Sequence, residues 1–186
     1  GSIHGELEDL SIVHKKLISK FRRGDKQVYL GNYFGDTKHN KETLDELLMA
    51  RRRIMSLPEV FMPEDFFYLR GAREEMFFKL LQLHFAPNPA LVMEWLLDHG
   101  MGSSLAAYGE TESAARTIVR HGTVALTKWT TSIKRQIQNC PGHIDLTNSL
   151  KRACITEDGA LLFVHASVDT TRPLTMQKDQ FWWDNG

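Results

Sequence analysis

The chain has 186 residues, of which 42% are hydrophobic, and its 23 basic side chains balance its 23 acidic ones. A chain of this length and composition is expected to form one globular domain. The balanced charge excludes a long-range field that would recruit nucleic acid or an anionic membrane, and no apolar run reaches the roughly 18 residues of a membrane span.

The cysteines and the N-terminus indicate a compartment. Cys140 and Cys154 are the only cysteines, and they form no CxxC pair. Free thiols in a reducing, bacterial-type cytoplasm are the expected state, with a single disulfide as the alternative. The N-terminus lacks the basic, apolar and small-residue pattern of a secretion signal, so the sequence predicts a cytoplasmic protein.

The first half of the chain alternates helices with short apolar runs. Apolar residues at steps of three and four predict the helices, and the runs QVYL and FFYLR predict buried strands. Each strand leads directly into a glycine, and this repeated order is typical of an α/β domain with its site at the carboxyl ends of the strands. The predicted elements are helix 6–22, strand 27–30, helix 41–56, strand 66–70 and a helix that begins after Gly71.

The second half is mostly helical until a hairpin near its end. LKRACIT and ALLFVHA flank three turn-forming residues, 157–159, which is typical of a β-hairpin. His165 is therefore expected where a buried strand ends. The other predicted elements are a helix from Pro87–Pro89 through Leu97, a loop of small residues over 99–108, and helices over 111–139.

Two aromatic stretches are harder to place. Tyr33 and Phe34 are expected in the core or in a lid. The run FWW at 181–183 cannot bury all three side chains on one face of a strand. One or more is therefore expected to be exposed, either at a partner contact or at an interface that a further segment would cover.

Four short segments fall at the predicted strand ends: GSIHG (1–5), GNYFGDT (31–37), RGAREEM (70–76) and FVHASVD (163–169). Together they resemble the metallophosphoesterase superfamily, in its calcineurin-like branch of bacterial serine/threonine protein phosphatases and dinucleoside tetraphosphatases. That family's pattern is GDxHG, GDxxDRG, RGNHE and VHAG, followed by a final GHT. The stretches WLLDHGMGSSLAAYG and HASVDTTRPLTMQ are also similar to family segments, so the resemblance covers nearly the whole chain.

The resemblance implies an α/β fold in which two facing β-sheets form a sandwich flanked by helices. It also implies a helical cap inserted around residues 87–150 and a site for two metal ions where the strands end. The whole chain, 1–186, would be a single domain of this kind. The family's first strand and its GHT segment would lie outside these residues.

The residues that carry the family's chemistry have mostly changed. His4, Glu74 and His165 match the family pattern. Gly1 and Ser2 are also the residues that a cleaved affinity tag commonly leaves, so Ser2 is either a native residue or a tag residue. The degenerate positions are Ser2 and Asn32 for metal-binding aspartates, Gly35 for an aspartate, Asp36 for the phosphoryl-binding arginine, Ala72 for a metal-binding asparagine, and Arg73 for the histidine that assists the leaving group.

Charge decides what these changes do to the implied metal site. Two divalent cations about 3.5 to 4 Å apart repel strongly and are held by anionic oxygen ligands, above all a bridging carboxylate. Ser2 and Asn32 supply no such oxygen, and Arg73 adds a fixed positive charge. We therefore expect no cofactor, or at most one weakly bound manganese, iron or zinc ion on His4, Asn32 and His165.

Arg73 has two interpretations that the sequence does not separate. It could form a salt bridge to Asp36 or Glu74 that closes the former cleft. It could instead bind a phosphate or carboxylate together with backbone N–H groups at the start of its helix.

The sequence thus predicts a catalytically degenerate metallophosphoesterase homologue, a pseudophosphatase, that acts as a binding or regulatory module. Its expected partner is a protein or a phosphorylated ligand, with no nucleic acid and no membrane, and a homo-oligomer is left open. The alternative is an active metal-dependent phosphoesterase or protein phosphatase with an atypical or single-metal centre. A purely structural subunit is a third hypothesis.

Overall fold

The computed structural model describes residues 1–183. Eight α-helices and four short β-strands follow one another along this part of the chain. The helices are α1 (Leu7–Lys20), α2 (Asn40–Met55), α3 (Ala72–Leu81), α4 (Pro89–Asp98), α5 (Gly102–Ala106), α6 (Glu112–Ile118), α7 (Gly122–Gln138) and α8 (His143–Asn148). The strands are β1 (Gln27–Tyr29), β2 (Phe66–Tyr68), β3 (Cys154–Ile155) and β4 (Leu162–Phe163).

The predicted α/β fold with a two-sheet β-sandwich is wrong. The structure is 54% helix and 7% strand, and its strands form two sheets of two strands each. A sandwich requires two broader sheets that pack face to face about 10 Å apart. Most apolar residues of this chain recur at helical steps, and strands of two or three residues offer too little sheet surface for two layers.

The strands β1 and β2 pair in parallel and bring two glycine turns together. Tyr29 lies opposite Tyr68, and their rings stack with centroids 5.0 Å apart. Beyond the strands, a Cβ atom on Gly31 would lie 2.5 Å from the backbone nitrogen of Gly71. The two glycines therefore allow the strand-end loops to touch.

One continuous hydrophobic cluster joins the helices to one face of this sheet. The helix α1 packs along α2, and its last turn leads to Phe21, whose ring stacks on Phe66 of β2. Tyr33 and Phe34 are 1% and 0% exposed, so both belong to the core. None of the helices within residues 1–183 is both long and apolar enough to cross a lipid bilayer.

Most individual elements agree with their prediction, with ends shifted by a few residues. The helices over 6–22, 41–56 and 111–139, the parallel strands and the antiparallel hairpin are all present. The predicted loop over 99–108 is wrong in part because α5 forms within it. Both cysteines are free thiols.

The aromatic run at 181–183 is mostly buried, and its predicted contact with a partner stays a prediction. Phe181 and Trp182 are 4% and 7% exposed, and Trp183 is only partly exposed. The segment forms a 3₁₀ turn rather than a strand, and the guanidinium groups of Arg70 and Arg152 lie 5.8 and 5.2 Å from the Trp182 ring. The turn and these cation–π contacts explain the burial.

Two buried histidines connect α2 to its neighbours through carboxylate–imidazole–hydroxyl chains. Each imidazole binds a carboxylate of α2 with one ring nitrogen and a tyrosine hydroxyl with the other, at 2.8 to 3.0 Å. Both histidines are at most 1% exposed, so each ring nitrogen needs its partner. The two chains are Glu46–His14–Tyr29 and Asp45–His143–Tyr108.

Acidification is expected to weaken the fold through His14. Burial lowers the pKa of its imidazole below the ordinary 6.5, and the hydrogen bond to Glu46 opposes this by less. On acidification, His14 therefore binds a proton more readily in the unfolded chain than in the folded one. The free energy of unfolding should fall as the pH decreases below 6.5, by at most about 1.4 kcal/mol per pH unit.

Urea unfolding of the wild type and of His14→Gln, at about pH 7.5 and about pH 5.5, measures this effect. Glutamine can form both hydrogen bonds but does not titrate, so the variant should lose less stability on acidification. An equal loss in both proteins would contradict the assignment to His14.

Candidate functional site

The loops that the sequence places at strand ends meet at one edge of the β1–β2 sheet. Residues 1–4 run beside the end of β1, and the N–H of His4 donates to the carbonyl oxygen of Asn32 at 2.5 Å. The Asn32 side chain reaches the start of α3, and His165 reaches Leu30. We call this arrangement the strand-end cluster: residues 1–5, 30–36, 71–74 and His165.

Asn32 connects two of these loops. It is 7% exposed and has a φ angle of 54°, in the left-handed region that asparagine tolerates better than most residues. Its side-chain oxygen accepts a hydrogen bond from the backbone N–H of Arg73 at 3.0 Å. The oxygen that replaces the family's bridging carboxylate is therefore engaged by the protein itself.

Glu74 is enclosed by backbone donors and is 1% exposed. One carboxylate oxygen accepts from the N–H groups of Asn32 and Gly71, and the other from those of Tyr33 and Phe34, at 2.8 to 3.3 Å. Burial raises the pKa of the Glu74 carboxyl group, and the four donors oppose this by stabilising its charged form. All four partners are donors, so they match an ionised carboxylate rather than a carboxylic acid.

This structural role of Glu74 is one that the sequence reasoning missed. The sequence gives Glu74 only as a residue that matches the family pattern and as one of two partners for an Arg73 salt bridge. A local signal was present, because Gly71 precedes Glu74 by three positions and the spacing is that of a capping box. The contacts of Glu74 with the loop at 32–34 have no such local signal.

The imidazole of His165 has a fixed tautomer. Its Nδ1 lies 2.6 Å from the carbonyl oxygen of Leu30, which can only accept, so Nδ1 carries the proton and Nε2 keeps its lone pair. Burial lowers the pKa of His165, the Leu30 hydrogen bond opposes this, and the nearby His4 lowers the pKa further. Ser2 Oγ is 3.4 Å from the same Nδ1, which is a weak contact at best.

Arg73 does not form the predicted salt bridge to Asp36 or Glu74. Its Nη1 donates to the carbonyl oxygen of His99 at 2.5 Å, in the loop before α5. No carboxylate among residues 1–183 forms an ion pair with this guanidinium. The carboxylate of Glu74 is bound by backbone N–H groups instead. The salt-bridge interpretation is therefore wrong, and the guanidinium keeps N–H donors that have no protein acceptor in the described part of the chain.

Some of the backbone donors at the start of α3 are already in use. The N–H of Gly71 donates to Glu74, that of Arg73 donates to Asn32, and that of Glu75 donates to the carbonyl oxygen of Gly71. The N–H groups of Ala72 and Glu74, in the same first turn, have no acceptor in the described part of the chain. Anion binding by this helix start together with the Arg73 side chain therefore stays a prediction.

The remaining degenerate positions are structural or exposed. A Cβ atom on Gly35 would overlap the carbonyl oxygen of His4, so only glycine fits there. The carbonyl oxygen of Gly35 accepts from Ser103 Oγ at 2.8 Å, which ties this loop to α5. Asp36 is exposed, and Ala72 is the half-buried first residue of α3.

No protein-family model matches this chain, and no curated protein and no solved structure matches it significantly. Membership of the metallophosphoesterase superfamily stays a hypothesis based on the motifs. The strand-end cluster nevertheless brings residues from all four motif segments together.

The residues of the strand-end cluster do not fit a two-metal centre. Residues 1–183 contain no group of three or more histidine, cysteine, aspartate or glutamate side chains that could hold a metal ion. The Asn32 oxygen is bound to Arg73, and the Glu74 carboxylate is enclosed by backbone. The imidazoles of His4 and His165 remain, and such a donor set suits at most one weakly held transition-metal ion.

A cavity of about 350 Å³ opens beside Ser2 and His4. Its lining comes from residues 1–4, α1 and β1, and it includes none of Asn32, Arg73 and His165. Of the two histidines in the strand-end cluster, His4 therefore lines this cavity and His165 does not.

Proposed function

We propose that this chain is a non-catalytic relative of the metallophosphoesterases that acts as a binding or regulatory module. The four motif segments support this relationship because they converge in the strand-end cluster. The proposal depends on this local arrangement and not on the overall fold, which is mainly helical.

One observation supports the absence of catalysis: the buried carboxylate of the cluster, that of Glu74, is already bound by backbone N–H groups. Both carboxylate oxygens of Glu74 accept hydrogen bonds from backbone N–H groups, four in all. The side-chain oxygen of Asn32 accepts one from the backbone N–H of Arg73. Two divalent ions would lack the bridging anionic ligand that offsets their mutual repulsion. Phosphoryl transfer by a metal-activated hydroxide is therefore not expected.

Elemental analysis and a phosphatase assay test this proposal together. Purified protein is expected to hold less than one manganese, iron or zinc ion per chain and to leave p-nitrophenyl phosphate uncleaved with added manganese. The variant His165→Ala should behave in the same way. Two tightly bound ions per chain, or turnover that His165→Ala abolishes, would contradict the proposal.

The ligand that we propose for this module is a phosphorylated or carboxylate group bound by Arg73. The residue is half-buried, and its exposed guanidinium donates one hydrogen bond to the carbonyl oxygen of His99 and has further donors without a protein acceptor within residues 1–183. A guanidinium held in this way can form charge-assisted hydrogen bonds to an anion. The natural source of the anion is proposed to be a protein or a phosphorylated small ligand.

Titration with inorganic phosphate, followed by calorimetry, tests the role of Arg73. We expect millimolar binding that Arg73→Gln weakens by roughly tenfold, as the loss of a charge-assisted contact predicts. The exposed Arg120, changed to glutamine, is the matched control and should leave binding unchanged. No binding at millimolar phosphate, or equal effects of both substitutions, would contradict this site.

An active single-metal phosphoesterase is the second candidate, and the tautomer of His165 favours it. The Nδ1–H bond to Leu30 leaves the Nε2 lone pair available, which is the usual arrangement of a metal-binding histidine. An ion held by His4 and His165 would act as a Lewis acid on a phosphate oxygen. Metal-dependent turnover lost in both His4→Ala and His165→Ala would place this function first.

We also propose a cytoplasmic location. The free state of both cysteines supports it, because thiols persist in a reducing compartment.

A further inference from the structure

A cavity of about 550 Å³ separates the β1–β2 sheet from the β3–β4 hairpin. Side chains alternate across a strand, so Val28 and Phe67 point into this space while Tyr29 and Tyr68 point to the core. This volume lies within the roughly 300 to 1,000 Å³ of small-molecule sites. The hairpin side is lined mainly by apolar side chains, those of Cys154, Ile155, Ala160, Leu161 and Phe163.

The cavity has an apolar wall that the protein leaves partly uncovered. Parallel strands normally have both faces covered by other elements. Here the hairpin faces the outer side of the sheet across the cavity. Ile155 and Leu161 are 53% and 57% exposed, so apolar surface continues from the cavity to its rim. An apolar ligand would remove this surface from water.

The rim of the cavity carries an excess of negative charge. Lys26 is the basic residue in the lining, and its Nζ is paired with Asp65 Oδ1 at 2.5 Å. Glu157 and Asp158 also line the cavity, and neither forms an ion pair among residues 1–183. Glu157 interacts with Lys26 electrostatically, but Asp65 already balances that charge. Two carboxylates thus remain for a ligand.

The carboxylate of Asp158 is held in its charged form. Its Oδ1 accepts from the hydroxyl of Thr156 at 2.6 Å and from the N–H of Ala160 at 3.1 Å. These hydrogen bonds hold the pKa of the Asp158 carboxyl group below its usual range. The Asp158 residue is exposed, so this carboxylate is also accessible to a ligand at the rim.

We propose that this cavity, between the outer face of the β1–β2 sheet and the hairpin, binds a small apolar ligand that carries a positively charged head group. The apolar part packs between Phe67 and Leu161. The head group lies at the rim and interacts with Glu157 and Asp158. An anionic head group would be repelled by the same carboxylates, and this site is separate from Arg73 and from the strand-end cluster.

Cys154 provides a built-in reporter for binding. It lines the cavity, whereas Cys140 is buried elsewhere, between α7 and α8. The alkylation rates of the two thiols, followed by peptide mass spectrometry, therefore separate occupancy of the cavity from a general change in the fold. Octyltrimethylammonium and octyl sulfate, both below their micelle concentrations, are matched probes of opposite charge.

We expect octyltrimethylammonium to slow alkylation of Cys154 and to leave Cys140 unchanged. Octyl sulfate should require a roughly tenfold higher concentration for the same protection, because attraction becomes repulsion at a partly exposed site. The double variant Glu157→Gln and Asp158→Asn keeps the side-chain shapes and should remove most of this difference.

The location of the ligand in the cavity is tested by substituting two exposed apolar residues. Leu161→Gln should weaken protection by octyltrimethylammonium, and Val124→Gln, 72% exposed on α7 and outside the cavity, should not. Circular dichroism confirms that both variants are folded. The proposal is overturned if neither probe protects Cys154 at millimolar concentration, if octyl sulfate protects equally well, or if Leu161→Gln and Val124→Gln behave alike.

Discussion

Replacing Glu74 by alanine is expected to destabilise the protein by at least about 4 kcal/mol, which is at the upper end of single-residue effects. The substitution leaves four backbone N–H groups without an acceptor in a site that water does not reach. A buried donor that loses its partner costs about 1 to 3 kcal/mol, and charged acceptors are worth more than neutral ones. The loop at 32–34 and the start of α3 are expected to separate.

The adjacent Glu75 is the matched control for this substitution. It lies on the same helix, has the same side chain and pairs with Arg70 at 3.2 Å in a partly exposed contact. Such a pair contributes at most about 1 kcal/mol, so Glu75→Ala should cost little. Urea unfolding of both variants gives the comparison. Similar losses of unfolding free energy would mean that the backbone cage around Glu74 contributes little to stability.

A second large effect is expected at the contact between the two glycine turns. Gly31 has a φ angle of +96°, and a Cβ atom there would lie 2.5 Å from the nitrogen and 2.8 Å from the Cα atom of Gly71. Both neighbours are backbone atoms, so the loops must move apart to admit a methyl group. We expect Gly31→Ala to reduce the free energy of unfolding by about 3 kcal/mol or more.

Gly159, in the turn of the β-hairpin, is the control for this substitution. It separates the cost of the steric contact from the cost of a positive φ angle. Its φ angle is +70°, but a Cβ atom there would meet nothing within 4 Å. Gly159→Ala therefore carries only the conformational cost, about 1 to 2 kcal/mol. Thermal or urea unfolding of the two variants measures the difference. If Gly31→Ala costs no more than Gly159→Ala, the close approach of the two turns is not a constraint on the sequence.

Local patterns predict most of the elements but not the architecture. Apolar steps of three and four residues identify α1 and α2, and the glycines after QVYL and FFYLR identify the turns. The two-sheet sandwich came from the motif resemblance, and no run of residues outside the short strands supports it. The helix α5 was missed because GSSLA contains small residues that favour loops as readily as helices.

The sequence motifs predict which residues belong to the candidate site, but they do not predict the hydrogen bonds that these residues form. The motif segments identified Asn32, Arg73 and His165, and the structure brings all three to the same sheet edge. The partner of Arg73 is a carbonyl oxygen 26 positions away, at His99, and such a contact leaves no trace in a local pattern. The same holds for Glu74, whose donors in the preceding loop lie about forty positions earlier.

The two histidine chains of α2 have a consequence for how the molecule opens. Asp45 and Glu46 are consecutive, and their side chains leave the helix about 100° apart. One therefore reaches α8 through His143, and the other reaches α1 through His14. A single turn of α2 therefore holds both α1 and α8, so local unfolding of that turn would release both helices at once.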